Sequence, residues 1–254
     1  MRKGLSAAAL VLGVWLAMTG GAVAAEIRVM ISGGFTPAYT ALGKQFEAVT
    51  GDRLVTIRGS SMGPPPNSIP ARIDAGEPVD VVIMVGEGLQ LLVERGKVID
   101  RKDLAWSRIG MSVRAGATRP DISTVEALRR TLLAAKSIGY SASASGIYIR
   151  TELFEKLGVA SEVGPKAREV GGAAAAVARG EVELGFQQMS ELMPVAGTDL
   201  VGPIPEAVQL ISSYSAGIST TAREPDRARA LVAFLSSPRA LQDILKTGMY
   251  PPGP

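Results

Sequence analysis

The stretch EIRVMISGGFTPAYTALGKQFEAVTG, residues 26–51, places a strand, a glycine-containing loop and a helix in direct succession. The β-rich residues 26–32 end at Gly33-Gly34. Gly51 then closes a segment whose apolar residues recur at helical spacing: Ala38, Leu42, Phe46 and Val49. This order is typical of a parallel sheet with crossover helices, which binds its ligands beyond the carboxyl ends of the strands.

The same unit recurs along the chain. The pattern predicts a strand, a serine and proline loop, a helix and another strand between residues 53 and 85. A second series follows, with these predicted elements: a strand over 108–116, a helix over 123–136, a strand entering the loop YSASAS, a helix over 146–158, a strand and loop over 182–190, a strand over 207–220 and two helices within 225–246. Two such series predict two α/β lobes with a ligand cleft between them. The final YPPGP is expected to fray.

Composition excludes several kinds of chemistry. The 254 residues contain no Cys and no His, so a disulfide, a thiolate nucleophile, an imidazole base and the commonest metal ligands are all absent from the sequence. Lys and Arg total 27 against 24 acidic residues, and no basic block is present. Nucleic acid is therefore not an expected partner.

Residues 1–25 have the pattern of a secretory signal peptide. Arg2 and Lys3 precede an apolar stretch from Ala7 to Met18, and Val23-Ala24-Ala25 is a small-residue cleavage site. The apolar stretch is short for a membrane span. We therefore expect the mature protein to be exported to the periplasm and not to span the membrane.

Four segments carry a resemblance to a known family: GSSMG (59–63), IPARIDAGEPVDVVIMV (69–85), SASASGIYIRTELFEKLG (141–158) and VARGEVELGFQQMSEL (177–192). In order and spacing they resemble the periplasmic molybdate-binding proteins and their relatives. The resemblance implies an α/β, two-lobed type II periplasmic binding protein fold with two crossover strands and a ligand cleft between the lobes. It assigns 26–106 plus 222–254 to lobe I and 107–221 to lobe II.

In that family a tetrahedral oxyanion is held by hydroxyls after the first two strands, by backbone amides of the second lobe and by a tyrosine. The resemblance puts the second hydroxyl at Ser60 or Ser61 and the amides near Ser145 and Gly146. The remaining positions depart from the pattern, because Gly33-Gly34 with a displaced Ser32 replaces the first hydroxyl and Gln188 replaces the tyrosine. The predicted ligand-binding residues are Ser32, Gly33, Gly34, Ser60, Ser61, Met62, Ser143, Ser145, Gly146, Gln187 and Gln188.

A side-chain amide such as that of Gln187 or Gln188 suits a planar carboxylate as well as an oxyanion. Ser60, Ser61 and the amides around Met62 are expected to form an anion cradle that is stiffened by the prolines at 64–66.

The chain also resembles the aconitate isomerase branch of these relatives. That resemblance implies an enzyme without metal or cofactor that shifts an allylic proton of a small polycarboxylate and needs a general base. The candidate bases are Glu191, Tyr140, Tyr148 and Glu87, and the sequence does not choose between them. The alternative is a non-enzymatic solute-binding protein that delivers an organic acid, or an oxyanion such as molybdate or tungstate, to an ABC transporter permease.

Overall fold

The computed structural model describes residues 24–63 and 66–252 of the chain. Residues 1–23 of the expected signal peptide and two of the loop prolines, Pro64 and Pro65, lie outside the described residues. Within the described ranges, no helix combines the length and the apolar character needed to cross a bilayer.

Nine strands in the described part of the chain form one continuous sheet. They are β1 (Glu26–Ile31), β2 (Arg53–Arg58), β3 (Val81–Val85), β4 (Val98–Arg114), β5 (Ile138–Ser141), β6 (Ala167–Val170), β7 (Leu184–Gln188), β8 (Thr198–Pro203) and β9 (Ile211–Ser219). Their order is β2-β1-β3-β9-β4-β7-β5-β6, and β8 pairs with β4. The pairs β1–β2, β1–β3, β5–β6 and β5–β7 are parallel, as the repeated strand, loop and helix pattern predicts.

Helices cover this sheet. The α-helices are α1 (Thr36–Thr50), α2 (Ile69–Asp74), α3 (Gly86–Glu94), α4 (Val125–Ala134), α5 (Ala144–Tyr148), α6 (Phe154–Lys156), α7 (Ala160–Val163), α8 (Ala173–Ala178), α9 (Met189–Leu192), α10 (Pro225–Leu235) and α11 (Leu241–Lys246). A π-helical turn, Ile149–Leu153, joins α5 to α6, so the predicted helix over 146–158 begins two residues earlier than expected. Short 3-10 turns cover Gly33–Phe35, Gly164–Lys166, Glu206–Val208 and Pro238–Ala240.

The long strand β4 connects the two lobes. Residues 98–108 of β4 pair with β9, whereas residues 109–114 pair with β7 and β8. Strands β1 to β3 lie beyond β9 on one side, and β5 and β6 lie beyond β7 on the other. The predicted lobe boundaries stay a prediction. Because β9 also pairs with β3, we propose that residues 214–219 be counted with lobe I rather than with lobe II.

Three sequence expectations were wrong in detail. Val49 is 68% exposed, because the buried stripe of α1 ends at Phe46 and the last turn extends past the core. The strand expected over 108–116 begins at Val98, since its first half hydrogen-bonds to β9. The expected fraying of YPPGP does not hold for Tyr250, which exchanges two backbone hydrogen bonds of 2.9 Å with Trp106 and stacks its ring on the Trp106 ring with centroids 4.2 Å apart. Gly253 and Pro254 of that segment lie outside the described residues.

Candidate functional site

The ends of the parallel strands converge where the two lobes meet. Three cavities of about 180, 290 and 220 Å³ lie there. Met62, Glu87, Tyr148 and Ser212 are among the residues around the first, and Ser60 lines the second. The third is lined by Gln187 and Glu191 together with residues that also border the second: Gly33, Thr36 and Arg58. We call these three cavities together the interlobe cleft.

A larger cavity of about 720 Å³ lies at the opposite edge of the lobe II sheet, beside Arg114, Lys136 and Glu183. None of the predicted site residues lines it, and no buried polar atom without a partner lies among its lining residues. Two buried polar atoms without partners among the described residues, Ser32 Oγ and Gln188 Oε1, belong instead to chain neighbours of residues that line the interlobe cleft, which we therefore take as the candidate site.

Gly33 and Gly34 bring the backbone of lobe I against two side chains, those of Glu191 and Tyr214. A methyl group on Gly33 would come within 2.1 Å of Glu191 Oε1, and one on Gly34 within 1.9 Å of Tyr214 Oη. Neither position tolerates a side chain unless its neighbour moves. The two glycines therefore make room for a carboxyl group and a phenol.

Glu191 lies at the carboxyl end of β7, in the first turn of α9, and only part of the residue is exposed. Gln187 Nε2 donates a 2.8 Å hydrogen bond to its Oε1, and Gln187 Oε1 in turn accepts from the backbone amide of Ala173. Burial raises the pKa of Glu191 from 4.5 to about 7, against the opposing effect of the hydrogen bonds from Gln187 and from the Gln188 backbone. A carboxyl group with this pKa can both take up and release a proton near neutral pH.

Tyr214 is a site residue that the sequence reasoning missed. It lies on β9 and is 3% exposed, and among the described residues none forms a hydrogen bond with its Oη. Burial and the nearby Glu191 carboxylate raise its pKa well above 10.0, so the phenol keeps its proton at neutral pH. The signal was the alternation of SSYS in a predicted strand, which puts Ser212 and Tyr214 on one face.

Gln188 and Ser32 present buried polar atoms without partners. Gln188 Nε2 donates to Ser212 Oγ at 2.8 Å, while Gln188 Oε1 and Ser32 Oγ have no partner among the described residues. A 180° rotation of the Gln188 amide would exchange Oε1 and Nε2. The Ser212 hydroxyl, which can donate as well as accept, would then donate to Oε1, and Nε2 would take the unpartnered position. Gln188 can therefore offer either an acceptor or a donor to a ligand.

The serine loop after β2 is held by its own hydrogen bonds. Ser60 Oγ donates to Met62 O at 2.6 Å, and Ser61 Oγ accepts from Val85 N at 2.9 Å. Among the described residues the hydroxyl hydrogen of Ser61 has no acceptor and can donate to a ligand, whereas that of Ser60 is used inside the loop. Ser60 and Met62 line different cavities of the cleft.

The serine loop after β5 forms a chain of hydroxyls. Ser143 Oγ lies 2.7 Å from Ser141 Oγ and 3.0 Å from Ser145 Oγ. A methyl group on Gly146 would meet the Ser141 carbonyl oxygen at 1.6 Å, so the glycine is required by close packing. Ala144 lines the cleft, while Ser143, Ser145 and Gly146 do not line its cavities. Ligand binding by these three residues stays a prediction.

The other candidate bases are placed less favourably. Tyr148 Oη donates a 2.7 Å hydrogen bond to the Val208 carbonyl. Tyr140 belongs to the core of lobe II, and Glu87 is exposed at the start of α3. The described residues also contain no group of three or more carboxylates that could hold a metal ion.

Comparison with known proteins connects this cleft to a family. A family model for bacterial extracellular solute-binding proteins matches residues 27–250. The chain is 41% identical over 229 residues to an aconitate isomerase from Pseudomonas, covering 89% of this chain and 87% of that protein. It is 26% identical over 259 residues to a molybdate-binding protein from Rhodobacter capsulatus, covering 98% of this chain and 96% of the other.

A solved structure shows the same fold. The periplasmic molybdate-binding protein of Azotobacter vinelandii has a TM-score of 0.75 at 21% identity, covering 89% of this chain and 100% of that one. The two-lobed type II periplasmic binding protein fold and the resemblance to the molybdate-binding-like relatives are thereby confirmed. The chain belongs to the family of bacterial extracellular solute-binding proteins.

Proposed function

We propose that this protein is an aconitate isomerase, which interconverts cis- and trans-aconitate in the interlobe cleft with Glu191 as its base. The observation that carries the proposal is a buried cleft carboxyl whose pKa is raised to about 7 beside a neutral phenol. The 41% identity to a protein named aconitate isomerase supports the choice of substrate.

The reaction requires one proton to leave and one to return. The Glu191 carboxylate removes a proton from the substrate methylene, and the electron pair delocalises over the three allylic carbons and into the attached carboxylate. A proton then adds to the carbon at the other end of the allylic system, which moves the double bond. A positioned base typically accelerates such a transfer by about 10²–10⁴-fold.

The surrounding side chains have separate roles. Gln187 positions the Glu191 carboxyl through its 2.8 Å hydrogen bond. Tyr214 Oη, neutral and without a hydrogen-bond partner among the described residues, donates to the negative charge that develops on the substrate. Gln188 and Ser32, which present unpartnered atoms, bind a substrate carboxylate by hydrogen bonds.

Proton NMR of cis-aconitate in D₂O with the purified protein tests the proposal. We expect trans-aconitate to accumulate and deuterium to enter the allylic positions. Glu191→Gln should abolish conversion, and Glu126→Gln, which changes an exposed carboxyl on α4, should retain it. Absence of conversion by the wild-type protein would refute the proposed activity.

A second candidate function is that of a receptor delivering a solute to an ABC transporter. One observation favours it: Ser190 Oγ of lobe II donates a 2.7 Å hydrogen bond to Gly34 O of lobe I, which holds the cleft closed as a receptor would close on its ligand. A rise in the melting temperature with tricarballylate, but no turnover of aconitate, would favour the receptor.

We also propose that the protein acts in the periplasm after removal of residues 1–25. The family match to extracellular proteins supports this location. N-terminal sequencing of the protein from a periplasmic extract should begin at Glu26. A sequence beginning at the initiator methionine would contradict it.

A further inference from the structure

Arg58 is the last residue of β2, and the structure holds its backbone firmly in place. It pairs in register with Ile31 of β1, and its carbonyl accepts a 2.7 Å hydrogen bond from Arg72 Nη1. Leu54, Thr56 and Arg58 alternate on one face of β2, and Thr56 is joined there to Tyr39 of α1 by a 3.1 Å hydrogen bond. Arg58 therefore faces the first turn of α1, where Thr36 also borders the cleft.

The Arg58 guanidinium has no ion-pair partner among the described residues. Arg53, at the other end of the same strand, pairs with Glu26, and Arg72 pairs with Glu77. No carboxylate occupies the corresponding position beside Arg58, so its charge is available to a ligand.

Arg58 is also the only Lys or Arg that lines the interlobe cleft in the described part of the chain. The acidic residues along the same cavities are Glu87, Glu152 and Glu191. A polycarboxylate that enters this cleft meets carboxylates on both sides and a single cation. That cation borders the same 220 Å³ cavity as Glu191, on the lobe I side.

We propose that Arg58 binds one carboxylate of the substrate and thereby selects di- and tricarboxylates over monocarboxylates. The inference rests on the proposed function, because it names the group that recognises the substrate of the same site. Two parallel N–H donors of a guanidinium match the two oxygens of a carboxylate. With one carboxylate fixed by Arg58 on lobe I, the substrate methylene is oriented toward Glu191 on lobe II.

The experiment compares Arg58→Gln and Arg58→Lys with the wild type, and uses Arg53→Gln as the matched control on the same strand. We expect Arg58→Gln to lower kcat/KM for aconitate by roughly 10- to 100-fold, mainly by raising KM. This is the loss of binding expected when hydrogen bonds to a charged group are removed. Arg58→Lys should restore part of the loss, and Arg53→Gln should stay within about twofold of the wild type. A loss for Arg58→Gln no larger than that for Arg53→Gln would overturn the inference.

Calorimetric binding of tricarballylate and of the monocarboxylate butyrate separates this inference from the proposed function. The wild type should prefer tricarballylate, which has two more carboxylates, and Arg58→Gln should lose most of that preference. If the wild type turns over no aconitate yet Arg58→Gln still loses the preference, the inference holds and the proposed activity fails. If turnover occurs and the preference is the same in both proteins, the inference fails and the activity stands.

Discussion

Replacing Glu191 by Gln should stabilise the fold while it removes activity. The carboxyl has a pKa of about 7 in the folded protein and 4.5 ordinarily. Below pH 4.5 the group is protonated in both states, so the substitution changes little. Between pH 4.5 and 7 the folded state keeps a proton that the unfolded state releases, so stability of the wild type falls as pH rises. Above pH 7 the carboxyl is ionised in both states, and the free energy of unfolding is lowered by the full cost of ionising the group in its buried position.

The size of the effect follows from that displacement of the pKa. At about 1.4 kcal/mol per pKa unit, the ionised carboxyl costs the folded state roughly 3 kcal/mol above pH 7. A Gln at position 191 is uncharged at every pH and can still accept the hydrogen bond from Gln187 Nε2. Glu191→Gln should therefore be about as stable as the wild type at pH 4.5 and up to about 3 kcal/mol more stable at pH 8.

Urea unfolding of both proteins at several pH values between 4.5 and 8.5 measures this difference, with linear extrapolation to water. Glu126→Gln, an exposed change on α4, serves as the control and should show a difference from the wild type that is small at every pH. A difference for Glu191→Gln that stays constant across the pH range would refute the reasoning, because it would mean that the folded state does not raise this pKa.

Three further predictions concern the cleft. Gly34→Ala should abolish turnover, because its methyl group would come within 1.9 Å of Tyr214 Oη, whereas Gly171→Ala enters open space and should retain turnover in the same NMR assay. Tyr214→Phe should lower kcat by about 10²-fold or more with a smaller change in KM, as expected for a donor that acts on developing charge, and steady-state kinetics would show this. Gln188→Leu should weaken tricarballylate binding by roughly tenfold in calorimetry, and unchanged binding would remove Gln188 from the site.

The sequence predicted the parallel sheet and the strand-end loops that form the cleft. The order of strand, loop and helix in residues 26–51 follows from local sequence patterns. In a parallel sheet the loops that follow the strands all lie at the carboxyl edge, so their position can be predicted without knowledge of tertiary contacts. For this reason Gln187 and Gln188, which end β7, were expected to bind the ligand, and Glu191, which follows β7 in α9, was expected as one of four candidate bases.

The remaining site residues depend on contacts between distant parts of the chain. Tyr214 reaches Gly34 because β9 returns to lobe I beside β3, a pairing that no local pattern encodes. The raised pKa of Glu191 arises where α9 packs against the Gly33 turn of the other lobe. The sequence alone does not distinguish Arg58 from any exposed strand residue, because only the structure shows that it has no acidic partner among the described residues.

The pH dependence of kcat/KM for cis-aconitate tests the role of Glu191 most directly. If its carboxylate is the base, kcat/KM should fall about tenfold per pH unit below about 7, since only the ionised form removes the substrate proton. Glu191→Gln should have no measurable turnover at any pH. A rate that is unchanged between pH 5 and 8, or that survives Glu191→Gln, would contradict the assignment of Glu191 as the base.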